Sequence, residues 1–176
     1  MLLNSLKERG SIMSVLPIVT YPNALLTTPT KEVEEITDEI IQLLDDMHDT
    51  MIANDGIGIA APQVNSNLRL ALVEIDEESG LFEMINPQIV QSTGETIDVE
   101  GCLSFPEVYG TIKRADTIVL RFYDRNGDEF EVEADDYLAR AFQHELEHLD
   151  GKLFTDKIIQ KIKPEDLESY MEANLE

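Results

Sequence analysis

Residues 143–151 read QHELEHLDG and hold His144, Glu145 and His148 in the pattern His-Glu-x-x-His. On an α-helix, side chains four residues apart share a face with Cβ atoms roughly 5–6 Å apart, so both imidazoles can bind one metal ion. Glu145 sits beside them, free to handle protons. The chemistry this implies is metal-assisted hydrolysis. The residues upstream support the helix that the pattern needs: Asp135 or Asp136 can cap its start, and Leu138, Ala141, Phe142, Glu145, His148 and Leu149 recur at helical spacing. Gly151 supplies a stop. The apolar stripe therefore carries Glu145 and His148, with His144 along its edge. Ionisable groups at positions bound for burial are costly unless something satisfies them, and a metal with its activated water would satisfy all three.

The elements that must position this helix fit one α+β domain. At 176 residues the chain is long enough for a sizeable core, and nothing in it requires a second domain. Residues 13–176 read as a single catalytic metallohydrolase domain. Residues 1–12 read as a peripheral N-terminal extension, too charged at Lys7, Glu8 and Arg9 for a secretory signal. The formal net charge of −23 argues against direct contact with nucleic acid or an anionic membrane surface and reads as a strongly solvated acidic surface. No window approaches the ~18–20 continuous apolar residues of a membrane span. The single cysteine, Cys102, excludes an intramolecular disulfide framework and points to a cytoplasmic compartment.

Along the chain, Pro17, Pro22 and Pro29 mark an extended, turn-rich entry. Thr37 is a candidate N-cap for a long first helix whose buried face is Ile40, Leu44, Met47 and Met51; His48 borders that face as a packed histidine without ligand partners. The glycines of Gly56-Ile57-Gly58 lack the continuation of a dinucleotide fingerprint. They fit either a plain helix-to-strand turn or a groove where an extended peptide can approach the backbone. Strand signals cover 68–76, 82–90, 95–100, 117–124 and 129–133, with Asn126-Gly127 as a hairpin turn, and Leu153-Phe154 is β-like. Pro164 suits the start of a C-terminal helix with Leu167, Tyr170, Met171 and Leu175 on its apolar face. The expected architecture is mostly antiparallel sheet packed around a central His-Glu-x-x-His helix. Taken alone, Cys102 reads as a small buried hydrophobe.

Three stretches in order, GIGIAAPQ at 56–63, EGCLS at 100–104 and QHELEHLDG at 143–151, closely resemble the three motifs of the peptide deformylases. The resemblance extends over about residues 15–156. It implies that Cys102, His144 and His148 are metal ligands, that Glu145 is the general base, and that Gln63 and the Leu103 amide hold the formyl oxygen. It also implies one divalent metal per chain, Fe2+ with Zn2+, Ni2+ or Co2+ as substitutes, and N-formylmethionyl nascent peptides near the ribosome as substrate. The backbone at Gly56, Ile57 and Gly58 would contact that peptide, and Arg140, through its aliphatic stem, and Ala141 would line a methionine pocket. Oligomeric state reads as monomer or weak oligomer. Glu147 stands where the family usually has aspartate and is expected on a polar stripe with Asp136, Arg140 and Gln143, away from the metal. Tyr109 replaces an arginine that some members carry.

Two other functions use parts of the same signal. A zincin-type metallopeptidase would draw its third ligand from Glu165 or Glu168 and leave Cys102 without work. A metal-stapled interaction module would need a fourth protein ligand to close the site.

Overall fold

The computed structural model describes residues 14–175, so the proposed extension at 1–12 lies outside the described residues. The entry segment is extended apart from a 3-10 turn at Ala24–Thr27. It leads into helix α1, Asp38–Ala53, where the Thr37 side chain accepts a hydrogen bond from the Ile40 N–H. Ile40, Leu44, Met47 and Met51 are buried along one face, as their spacing predicts. His48 pairs with Glu74 at 2.6 Å.

Strands β1 (Gly58–Ala60), β2 (Leu70–Val73) and β3 (Phe82–Thr93) follow, then β4 (Thr96–Cys102), β5 (Phe105–Arg114), β6 (Thr117–Tyr123) and β7 (Glu129–Asp135). Helix α2 is Asp136–Leu149, and β8 (Lys161–Ile162) and α3 (Leu167–Ala173) complete the chain. The strands form two antiparallel sheets, of order β1-β2-β3-β6-β7 and β4-β5-β8. This is an α+β fold. Strands β1 and β4 are both edges, so each carries unpaired backbone groups along one side. No helix among the described residues is long and apolar enough to cross a membrane.

Three sequence readings are corrected. Strand β5 was absent from the sequence signals because Pro106 and Gly110 interrupt it; its ladder with β4, from Thr96↔Arg114 to Glu100↔Gly110, supplies what local propensity lacks. Leu153-Phe154 leads into a 3-10 turn, Phe154–Lys157, which drives Phe154 into a cluster with Leu26, Phe105 and Ile112. Asp135 holds the N-cap position of α2 but its side chain makes no capping bond, and Asp136 takes a positive φ of 47°. The helix start is set by continuity with β7 and by packing.

Helix α2 lays Ala139, Phe142, Leu146 and Leu149 on the inner face of the five-stranded sheet, against Ala71, Met84 and Leu120. Phe142 meets Phe82 edge-on, ring centroids 5.1 Å apart. The helix ends where Gly151 turns left-handed, φ 72°, with the Lys152 N–H donating to the Glu147 carbonyl. A Cβ at 151 would stand 2.9 Å from backbone atoms of Thr27 and Thr28. Gly151→Ala is therefore expected to lower stability by about 1–3 kcal/mol, read as a shift in urea midpoint at unchanged slope.

Candidate metal centre and active site

Cys102 ends β4, and His144 and His148 lie one turn apart on α2. The fold brings them together: their ligand atoms all lie within 4.8 Å of one another, with Cys102 Sγ 3.2 Å from His148 Nε2. This is the one such donor group among the described residues. One thiolate and two imidazoles suit a first-row divalent metal and leave a coordination position open. Glu165 and Glu168, the ligand candidates of the peptidase reading, are exposed and outside the group.

The charges around the donors fit a cation. Burial pushes His148 down to about 3, helped by the charges of His144 and Arg114, so its imidazole is neutral with a lone pair available. Burial also opposes the charged form of His144, but bonds to Cys102 and Glu100 and the charge of Glu145 draw its pKa upward. Its Nδ1 lies 2.7 Å from a Glu100 oxygen, an arrangement in which Nδ1–H donates and Nε2 is left as the ligand atom. Burial pushes Glu145 up to about 7, the Glu100 charge adding to the effect, and its Oε2 is buried with no partner among the described residues. An orphaned carboxylate oxygen beside an open metal position is where a bound water fits.

Glu100 is the centre of a buried network that the sequence reading did not single out. Arg114 donates to it twice, at 2.5 and 2.8 Å, and Arg140 once, at 2.7 Å. Burial would raise its pKa, but the hydrogen bonds from His144 and Arg114 prevail and hold it at about 2. One signal was available: on a strand, residues two apart tend to share a face, which puts Glu100 near Cys102 even though the β4–β5 ladder is irregular between them.

The polar stripe of α2 differs from expectation. Arg140 is 3% exposed, and its guanidinium also donates to the carbonyls of Ile112 and Thr96. Gln143 bonds both backbone groups of Ala115. Glu147 pairs with Arg114 at 3.1 Å and with Lys157. The stripe docks the helix onto the second sheet, with only its side chains' ends polar.

Gln63 is 1% exposed and held by the Ala60 N–H at 2.9 Å; its Nε2 donates to Ser104 Oγ at 3.2 Å and faces Cys102 Sγ at 3.6 Å. Ser104, also missed in sequence, donates in turn to the Val19 carbonyl. Gly58 abuts Glu145: a Cβ there would come 2.5 Å from Glu145 Oε1. These groups open on a cleft of about 740 Å³ between the edges of β1 and β4. Gly56, Ile57, Gly58, Leu103, Arg140 and Ala141 are among the residues that line it.

Replacing Glu100 by Gln would remove the anion that two buried guanidinium groups share. The expected cost is about 3–5 kcal/mol in a denaturant titration, with metal affinity weakened about 10–100-fold because His144 loses its charged acceptor and keeps at most a neutral amide oxygen.

A polypeptide deformylase family model matches residues 15–164. Peptide deformylase 1 of Bacillus cereus is 46% identical over 156 residues, covering 89% of this chain and 100% of that protein. Peptide deformylase 1 of Bacillus subtilis is 46% identical over 155 residues, covering 88% and 97%. The crystal structure of a peptide deformylase from Legionella pneumophila aligns with a TM-score of 0.79 at 34% identity, over 93% of this chain and 100% of that one. The Thermotoga maritima peptide deformylase gives 0.79 at 33%, over 82% and 97%.

Proposed function

The chain belongs to the polypeptide deformylase family, and from that premise we propose how its own residues hydrolyse the formyl group of N-terminal formylmethionine on new polypeptides. The observation that carries the assignment of roles is the buried, unpartnered Glu145 oxygen beside the Cys102, His144 and His148 donors. Cys102, His144 and His148 hold the metal. A divalent ion bound there supplies Lewis acidity that brings the pKa of water towards roughly 7.

Glu145 accepts a proton from the attacking water as its oxygen bonds to the formyl carbon. Gln63 Nε2–H and the Leu103 N–H donate to the formyl oxygen as it gains charge, and losing one such donor typically costs about 100–1000-fold in rate. Glu145 returns the proton to the nitrogen as the C–N bond breaks, releasing formate and a free methionine amine. A residue with a carboxyl pKa displaced towards neutrality by burial suits this two-way transfer. The substrate backbone runs along Gly56, Ile57 and Gly58, adding to the free edge of β1, and the methionine side chain lies beside α2 against Ala141 and the stem of Arg140. The α2 helix is the central element around which both sheets are arranged, within one catalytic domain at 13–176. The enzyme works in the cytoplasm near the ribosome, as a monomer or weak oligomer.

The test is formate release from a formyl-methionyl tripeptide by protein prepared without oxygen. Wild type is expected to release formate, and Glu145→Gln to lose at least about 100-fold while keeping its metal. No release by fully metal-loaded wild type would overturn the assignment.

Ferrous iron is the native metal in this reading. A thiolate ligand beside iron can be carried up the sulfenic and sulfinic series once oxygen oxidises the site. Iron-loaded enzyme is expected to lose activity in air with a shorter half-life than nickel-loaded enzyme, and equal half-lives would exclude that role for iron.

A further inference from the structure

Gln63 can donate to an incoming oxygen only if its amide stands one way round, and a primary amide turned by half a revolution has almost the same shape. Something must therefore choose between the two orientations. At one end the choice is made by the N–H of Ala60, the residue that opens the 3-10 turn Ala61–Val64, which donates to Gln63 Oε1 at 2.9 Å. A backbone N–H never accepts, so it fixes the amide oxygen on its own side. The amide nitrogen is thereby turned towards β4, with Cys102 Sγ at 3.6 Å and Ser104 Oγ at 3.2 Å.

The other end is fixed from the entry segment of the chain. Ser104 has one hydroxyl proton and gives it to the Val19 carbonyl at 2.7 Å. A carbonyl never donates, so Ser104 Oγ keeps only lone pairs to offer Gln63. A reversed amide would set two acceptors against each other where Ser104 and Gln63 are both closed to solvent, an arrangement that leaves buried polar groups unsatisfied. Two backbone bonds brace the same contact: the Val19 N–H donates to the Gln63 carbonyl at 2.8 Å, and the Tyr21 N–H donates to the Ser104 carbonyl at 3.0 Å. Residues 19–21 thus clamp the residue that bears one oxyanion donor and the neighbour of Leu103, which bears the other.

We infer that Ser104, held by the Val19 carbonyl, is a positioning residue for the reaction: it locks the Gln63 amide so that one Nε2 proton is held by Oγ and the other is left on the Cys102 side for the formyl oxygen. The inference rests on the deformylase reading with Gln63 as a donor, and it gives the entry segment a use beyond packing. A donor already aimed needs no reorientation as charge develops on the oxygen, so its loss falls on kcat and leaves substrate binding largely intact.

The experiment follows formate from a formyl-methionyl tripeptide on metal-loaded full-length enzyme prepared without oxygen, with metal content measured for every variant. Ser104→Ala is expected to lower kcat about 10–100-fold, with KM within about twofold of wild type and metal content unchanged. In a Gln63→Ala background the same change should cost less than about twofold more, since no amide is left to aim; a residue with a purely structural role would cost as much in either background. Ser104→Thr retains the hydroxyl and should keep kcat within about threefold, and it decides the matter if the alanine variant does not fold. Wild-type kcat in Ser104→Ala, an equal loss in both backgrounds, or a loss beyond about tenfold in folded, metal-loaded Ser104→Thr would overturn the inference and leave the deformylase reading standing. No formate from the wild type would overturn that reading, and the inference with it.

Discussion

The interaction on which the rest depends is the buried carboxylate of Glu100. It holds two arginines and one imidazole at hydrogen-bond distance, and those groups come from β5 and α2 while Glu100 itself comes from β4. A single anion thus ties the smaller sheet to the helix that carries the histidines. Such a node gains little over a well-packed apolar core in stability alone, because every charge in it gives up its hydration. What it supplies is orientation. The His144 ring cannot rotate without breaking a short bond to an acceptor that two guanidinium groups keep ionised.

The same arrangement separates two carboxylates by environment. Glu100 is held well below the ordinary range by cations, whereas Glu145, in the adjoining turn of space but without an arginine partner of its own, is raised towards neutrality by burial. One carboxylate is locked as a permanent anion and the other is left able to exchange a proton. This division of labour follows from which side chains surround each acid, since the two residue types are identical. Gly58 completes it by letting the β1 backbone close over Glu145 with no side chain between them.

The cleft exists because neither sheet closes on itself. Strands β1 and β4 are edges that face a common space, and an exposed edge is a liability unless something pairs with it or covers it. Here both edges border the cleft that holds Cys102, His144 and Glu145. Helix α3 bounds that space with Leu167 and Met171, so a C-terminal segment distant in sequence from all three motifs becomes part of the cleft wall.

Residues by themselves determined the His-Glu-x-x-His helix, the first helix and most of the larger sheet. These elements rest on short-range periodicity: four-residue spacing for His144 and His148, the Ile40 to Met51 face, and alternating strands closed by Asn126-Gly127. The three-motif resemblance added Cys102, Gln63 and Leu103, which no spacing rule would join across the 81 residues between Gln63 and Glu145. Tertiary structure alone decided the rest. Strand β5 forms because β4 and β8 offer it ladders that override Pro106 and Gly110, a gain invisible to local propensity. The polar stripe of α2 reads as a solvated face until Arg114, at the end of β5, and Ala115, in the turn after it, arrive opposite it. The surroundings of Glu100, Ser104, Leu167 and Met171 likewise depend on what lies across from them. Long-range pairing sets each partner, and a one-dimensional pattern carries no record of it.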